Sequence, residues 1–134
     1  MELADGATYD GRIEGEWRER TVRDARFDGV ELVGCTFEDV RFVSCVFVEC
    51  RFEGCSLTGV RVDGCTLNDV RFERCRMMGI DFAAARQVVV DVGFRDSLLD
   101  YGCFAGMSLA RTEFRACRLR EVDFSEAVLD GAVF

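Results

Sequence analysis

Residues Val30–Phe82 decide the fold. Written in fives from Val30 they read VELVG CTFED VRFVS CVFVE CRFEG CSLTG VRVDG CTLND VRFER CRMMG IDF. The third residue of each five is large and apolar: Leu32, Phe37, Phe42, Phe47, Phe52, Leu57, Val62, Leu67, Phe72, Met77 and Phe82. The first is always Val, Cys or Ile. A period of five is neither the 3.6 of an amphipathic helix nor the 2 of a flat strand. It requires two inward residues in every five: the third, here called the centre, and the one two before it. A coil that turns a corner every five residues meets that requirement. Four fives close one square turn, and successive turns stack at the strand-pairing distance of ~4.8 Å. The expected fold is all-β, a quadrilateral β-helix of about six coils in a single domain.

A spacing of twenty should then bring like residues together. Phe52 lies under Phe72. Cys35, Cys55 and Cys75 form one inner column, Cys45 and Cys65 another, and Val40, Val60 and Ile80 a third. On the outside, Arg51 and Glu53 flank Phe52 as Arg71 and Glu73 flank Phe72. These four are expected to form a ladder of surface ion pairs, each contributing ~0–1 kcal/mol.

Outward from this stretch the pattern weakens. Trp17, Val22 and Phe27 keep the spacing, but Arg20 falls on an inner position that does not suit it. Residues 1–23 are read as a degenerate N-terminal cap with Trp17 as its lid, a solenoid needing an atypical end repeat. The regular coils run over 24–82. The register breaks at 83–91, because the next centre, Phe94, follows Phe82 by twelve residues, two fives and two more. The alternation of ring sizes assigns Val89 to the missing centre and predicts a two-residue bulge near Ala83–Gln87. Regular coils resume over 92–134, with Phe94, Phe114 and Phe134 extending the column of Phe52 and Phe72. Phe134 is itself a centre, so the last coil presents an edge that either another subunit or the continuation of a longer chain would cover. Cys103 lies just before a centre and should point outward.

Composition excludes several function classes. The net charge of −8, with every base an Arg, argues against binding nucleic acid. There is no apolar run long enough to span a bilayer, and the opening MELADGATYDG lacks the features of a signal peptide. A cytoplasmic location is expected. Seven of the eight cysteines occupy the inner repeat position, which makes them small buried hydrophobes rather than a disulfide framework. No His is present, and no nucleophile stands beside a base, so no catalytic residue, cofactor or metal ligand is assigned.

The run of fives resembles the pentapeptide-repeat family from Trp17 to Phe134. That resemblance implies a right-handed quadrilateral β-helix. Within it, Leu99-Asp100-Tyr101-Gly102-Cys103-Phe104 and Glu113-Phe114-Arg115-Ala116-Cys117-Arg118-Leu119 look like the Qnr-type branch, which protects DNA gyrase from quinolones. Cys and Val replace the family's usual inner Ala, and Arg columns interrupt the acidic surface that mimicry of DNA needs. The leading expectation is a non-catalytic scaffold presenting flat faces to an unknown protein partner. The alternative is a DNA mimic that binds a type II topoisomerase, DNA gyrase being the candidate. A homodimer through the exposed coil end is a further expected contact.

Overall fold

The structure is a computed structural model describing residues 1–134. Its period is written in the backbone. From Glu19 to Gly79 every fifth residue has a positive φ, between 47° and 75°, and the same holds from Asp96 to Gly131. These are the corners. Such angles are costly for residues with a Cβ, yet Ser44, Arg74 and Tyr101 adopt them. The ladder holds them there: the corner N–H of Asp24 donates to Val43 O at 3.0 Å and that of Ser44 to Asp63 O at 2.9 Å, each one coil on.

Two fives joined at a corner make each long strand: Glu16–Arg23, Thr36–Val43, Val46–Glu53 and Thr66–Glu73. All ladders are parallel, most in a register of twenty, as in Phe47↔Leu67 and Phe52↔Phe72. Four faces result, named here by their first centres: Trp17, Val22, Phe27 and Leu32. The Trp17 face carries six rungs, Trp17, Phe37, Leu57, Met77, Leu99 and Leu119, and hence five full turns between first and last. The second half has mostly single bridges, such as Cys103↔Asp123, in place of long strands.

One apolar core runs along the axis from Leu3 to Phe114. Rings stack between coils, Phe27 on Phe47 at 4.6 Å and Phe52 on Phe72 at 4.8 Å, and meet edge to face within a coil, as Phe42 meets Phe47 at 5.4 Å. The inner cysteines fill the corners between rings. Their thiols donate to the carbonyl of a centre one coil earlier: Cys45 to Val22 O at 3.3 Å, Cys55 to Leu32 O at 3.2 Å, Cys65 to Phe42 O at 3.2 Å. Cys thus gives the volume of a small hydrophobe and a weak donor for a carbonyl that has a spare lone pair.

The N-terminal residues fold over the first rung. Leu3 is buried, the Trp17 indole N–H donates to Met1 O at 3.1 Å, and the Trp17 ring stacks on Phe37 at 5.0 Å. Arg20 does sit in the inner register, opposite Val40, but turns its guanidinium out to Glu2 at 2.6 Å. Its Nε is left buried without a partner.

The register break differs in detail from the alternation of ring sizes. Ala85 keeps the inner position, and Arg86 N–H donates to Cys65 O in the regular register. Val90, not Val89, then pairs with Leu67, so residues 87–89 are extra. One residue is recovered at once: Val90 to Val92 spans what Leu67 to Val70 spans. The net shift is two, composed of three gained and one lost. Val89 is 52% exposed.

Candidate interaction surface

The extra residues 87–89 interrupt the repeat between Arg86 and Val90. A single turn of 3-10 helix, Phe82–Ala84, replaces the left-handed corner, and the Asp81 carboxylate caps it by accepting from Ala83 N–H at 3.0 Å. The Gln87 side-chain amide then donates to three carbonyls, Ala85 O at 2.7 Å, Phe82 O at 3.3 Å and Ala83 O at 3.4 Å. This ties the base of the loop to the core. Beyond it stand two adjacent valines, Val88 at 83% and Val89 at 52% exposure. The loop therefore has an apolar tip on an anchored base.

The four faces differ in charge. On the Leu32 face the expected ladder forms only in part. Arg51 reaches Glu73 at 3.8 Å, and Glu53 pairs with Arg74 from the corner. Arg71 leaves the ladder and turns round the corner to Asp91 at 3.1 Å and Asp69 at 3.5 Å. Those two acids belong to the Phe27 face, where Glu49, Asp69 and Asp91 follow one another in successive coils at or beside the corner, and Asp28 leads the neighbouring file of Val48 and Asn68. Arg86, in register one coil beyond Thr66, is an Arg of this face in the middle coils, and Arg71 reaches in from round the corner.

On the Trp17 face the register sets out two files. One is Glu16, Thr36, Ser56, Arg76, Leu98 and Arg118. The other begins Arg18, Glu38, Thr58 and continues through Met78, Asp100 and Arg120. Asp100 was expected outside, yet only 3% of it is accessible. Arg118 Nε lies over it at 2.6 Å, and it accepts the Arg120 backbone N–H at 3.0 Å. No sequence pattern marks this burial, because the covering guanidinium comes from the next coil. Beside it, Ser56 and Thr58 line a groove of about 520 Å³ walled by Arg76, Met78, Leu98 and Arg118.

Cys103 is half-buried in its bridge with Asp81 and Asp123, its Sγ 3.9 Å from Asp123 Oδ2. The N–H of Ala105 favours its thiolate, but burial and the carboxylates of Asp81 and Asp123 outweigh that donor and push its pKa up. It is held as a thiol and is a weak nucleophile. Burial likewise pushes up the Cys50 and Cys117 thiols. Trp17, as a lid under Met1, offers no open ring face to a ligand. No group of three or more His, Cys, Asp or Glu side chains converges as metal ligands would, and no helix is long and apolar enough to cross a membrane.

A family profile described as a pentapeptide repeat region matches residues 21–104 and 45–124. Comparison with curated proteins finds no match. Among solved structures, the fold is similar to two trypsin-treated forms of QnrB1, a plasmid-mediated fluoroquinolone resistance protein. One has 17% identity and a TM-score of 0.60, with 92% of this chain and 73% of that chain covered. The other has 17% identity and a TM-score of 0.58, with 95% and 73% covered.

Proposed function

The chain belongs to the pentapeptide-repeat family, whose right-handed quadrilateral β-helix it adopts, and from that premise we propose that it is a non-catalytic scaffold that binds a protein partner through the loop at residues 87–89. The observation that carries this reading is the anchored pair Val88 and Val89. Val88 and Val89 are inserted residues outside the inward repeat positions, and they are displayed by three hydrogen bonds of Gln87 at their base. Two buried valines supply ~3–6 kcal/mol when fully covered, enough to anchor an interface whose flat surroundings contribute complementarity. The carboxylates lie at outward repeat positions, and about half of them are paired with Arg. The location proposed is the cytoplasm.

The test is photo-crosslinking in cells from an amino acid analogue placed at Val88, with Thr58 on another face as control. A single dominant adduct at Val88, lost in Gln87→Ala, is expected. Equal adducts at Val88 and Thr58 would remove the reading.

One observation favours a second reading, the DNA mimic acting on a type II topoisomerase such as DNA gyrase. It is the run Glu49, Asp69 and Asp91 in successive coils of one face, with Asp28 one position out of line in the coil before. Arg71 neutralises its upper half, which places this reading second. A supercoiling assay with gyrase and a quinolone decides it: protection that grows when Arg71 is replaced by Gln would promote the mimic, and no effect at any concentration would dismiss it.

A further inference from the structure

Arg118 does not stay on its own rung. Its Nε lies on Asp100 Oδ2 at 2.6 Å, and its Nη2 reaches Met78 Sδ at 3.7 Å, two rungs below on the Trp17 face. The buried Asp100 fixes that lean and is itself held by the Arg120 backbone N–H at 3.0 Å. The Arg118 guanidinium therefore enters the groove over Ser56 and Thr58, where Arg76 forms another wall. Two cations are brought to one groove, and Arg76 has no acid partner in the chain. The acids nearest in register do not supply one. Glu38 is held by Arg18 and Glu53 by Arg74, and Asp96 and Glu121, at the corners of the upper rungs, pair with neither guanidinium. Two guanidiniums beside two hydroxyls are a donor set for an oxyanion, because the guanidinium fork matches a carboxylate or phosphate at two points. The rest of the lining is apolar: Leu57 is buried at the floor, Leu98 is half-buried, and Met78 is 49% exposed. Tyr101, 65% exposed, stands at the corner beside Asp100. Exposed Arg, Met and Tyr together have the composition of an interface centre.

From this convergence we infer that the groove binds an acidic peptide segment of a partner protein, with a carboxylate between Arg76 and Arg118 and a neighbouring apolar side chain against Met78 and Leu98. A nucleic acid fits less well. The chain carries a net charge of −8, and the bases of this face do not continue as a stripe: below Arg76 its outward files run through Ser56 and Thr58 to Glu38 and Glu16. A free phosphate would satisfy the guanidiniums and leave Met78 and Leu98 uncovered. The site is separate from the loop, because Val88 and Val89 follow Arg86 on the Phe27 face, across the square from the Trp17 face.

Selection of a displayed random peptide library on the intact chain tests this, each enriched sequence being remeasured as a synthetic peptide by fluorescence anisotropy. Enriched peptides should carry Asp or Glu beside a large apolar residue, and their binding should weaken with salt. Arg76→Gln removes a charge-assisted pair and should weaken binding by more than about tenfold. It leaves Arg118 on Asp100, and circular dichroism separates any unfolding from lost contact. Met78→Ser should also weaken binding, and Arg111→Gln, outside the groove, should leave it unchanged. No enrichment, enriched peptides without acids, or equal binding by Arg76→Gln overturns the inference. Inorganic phosphate or single-stranded DNA that binds the chain, displaces the peptide and is itself lost in Arg76→Gln overturns it in favour of a free oxyanion or a nucleic acid. Each of these outcomes leaves the loop reading standing, since crosslinking from Val88 reports on the opposite face.

Discussion

Replacing Phe72 by Ala is the sharpest probe of how this solenoid holds together. Phe72 is almost wholly buried, its ring stacked on Phe52 at 4.8 Å below and Phe94 at 5.2 Å above, with the edge of Phe82 at 6.0 Å. A buried ring removes on the order of 150–250 Å² from water, and at ~25 cal/mol per Å² its transfer alone is worth roughly 4–6 kcal/mol as an upper bound. The neighbouring rings cannot settle into the void, because each is fixed by its own strand ladder. The expected loss is therefore at the upper end of the ~3–5 kcal/mol seen for Phe→Ala, a large share of a total of ~5–15 kcal/mol. Phe134→Ala is the control: it has one stacked partner, Phe114 at 5.3 Å, and is mostly exposed, so about 1 kcal/mol is expected. Because coils couple only to their neighbours, a defect in the middle should also lower the urea m-value as the halves uncouple. Urea unfolding followed by circular dichroism measures both. Equal losses for the two variants, or less than about 2 kcal/mol for Phe72→Ala, would refute the stacked-column account.

Three other outcomes follow from local geometry. A Cβ on Gly102 would come within 3.0 Å of Leu99 O and 3.4 Å of Ile80 O; both are backbone, so Gly102→Ala should lower stability by ~1–3 kcal/mol in thermal or urea unfolding. Cys103 should react with a thiol reagent more slowly than free cysteine, and Asp81→Asn/Asp123→Asn should speed it by lowering the thiol pKa, while the six buried cysteines react only on unfolding. Arg20 holds the Glu2 carboxyl below its ordinary range. A depressed acid contributes stability above its unfolded pKa and loses it as pH falls through the folded one. Trp17 fluorescence should therefore shift red at acid pH before the strand signal is lost, and Glu2→Gln should show that shift already at neutral pH.

The columns were legible because inward position, register and residue size repeat together. Phe52 under Phe72 and the Cys45–Cys65 pair needed nothing but a spacing of twenty. The net gain of two residues was legible in the spacing of Phe82 and Phe94, but the extra residues, expected near Ala83–Gln87, lie at 87–89. The internal division of the loop was not legible, because Val89 and Val90 are the same residue type and only the anchoring of Gln87 and the shortened step to Val92 tell them apart. Side-chain partners on the surface were the least legible. Register put Arg71 beside Glu73, but Arg71 is long enough to choose between faces, and the acids round the corner won. Asp100 shows the same limit: its outward register was correct, and its burial came from Arg118 in the following coil.

The left-handed corners have a consequence for how such a surface can change. Because the regular sides of the square are closed by the same kind of corner and filled by interchangeable inner residues, gain or loss of one five leaves the core intact. It nevertheless rotates everything downstream by a quarter turn relative to everything upstream. A patch that continued along one face would be cut and rejoined to the residues of the next. The net two residues gained between Phe82 and Phe94 avoid this, and Phe94 still stacks on Phe72. Five-residue insertions and deletions are thus a means of shuffling recognition surfaces at constant interior, whereas an irregular loop decorates one surface and keeps the rest in phase.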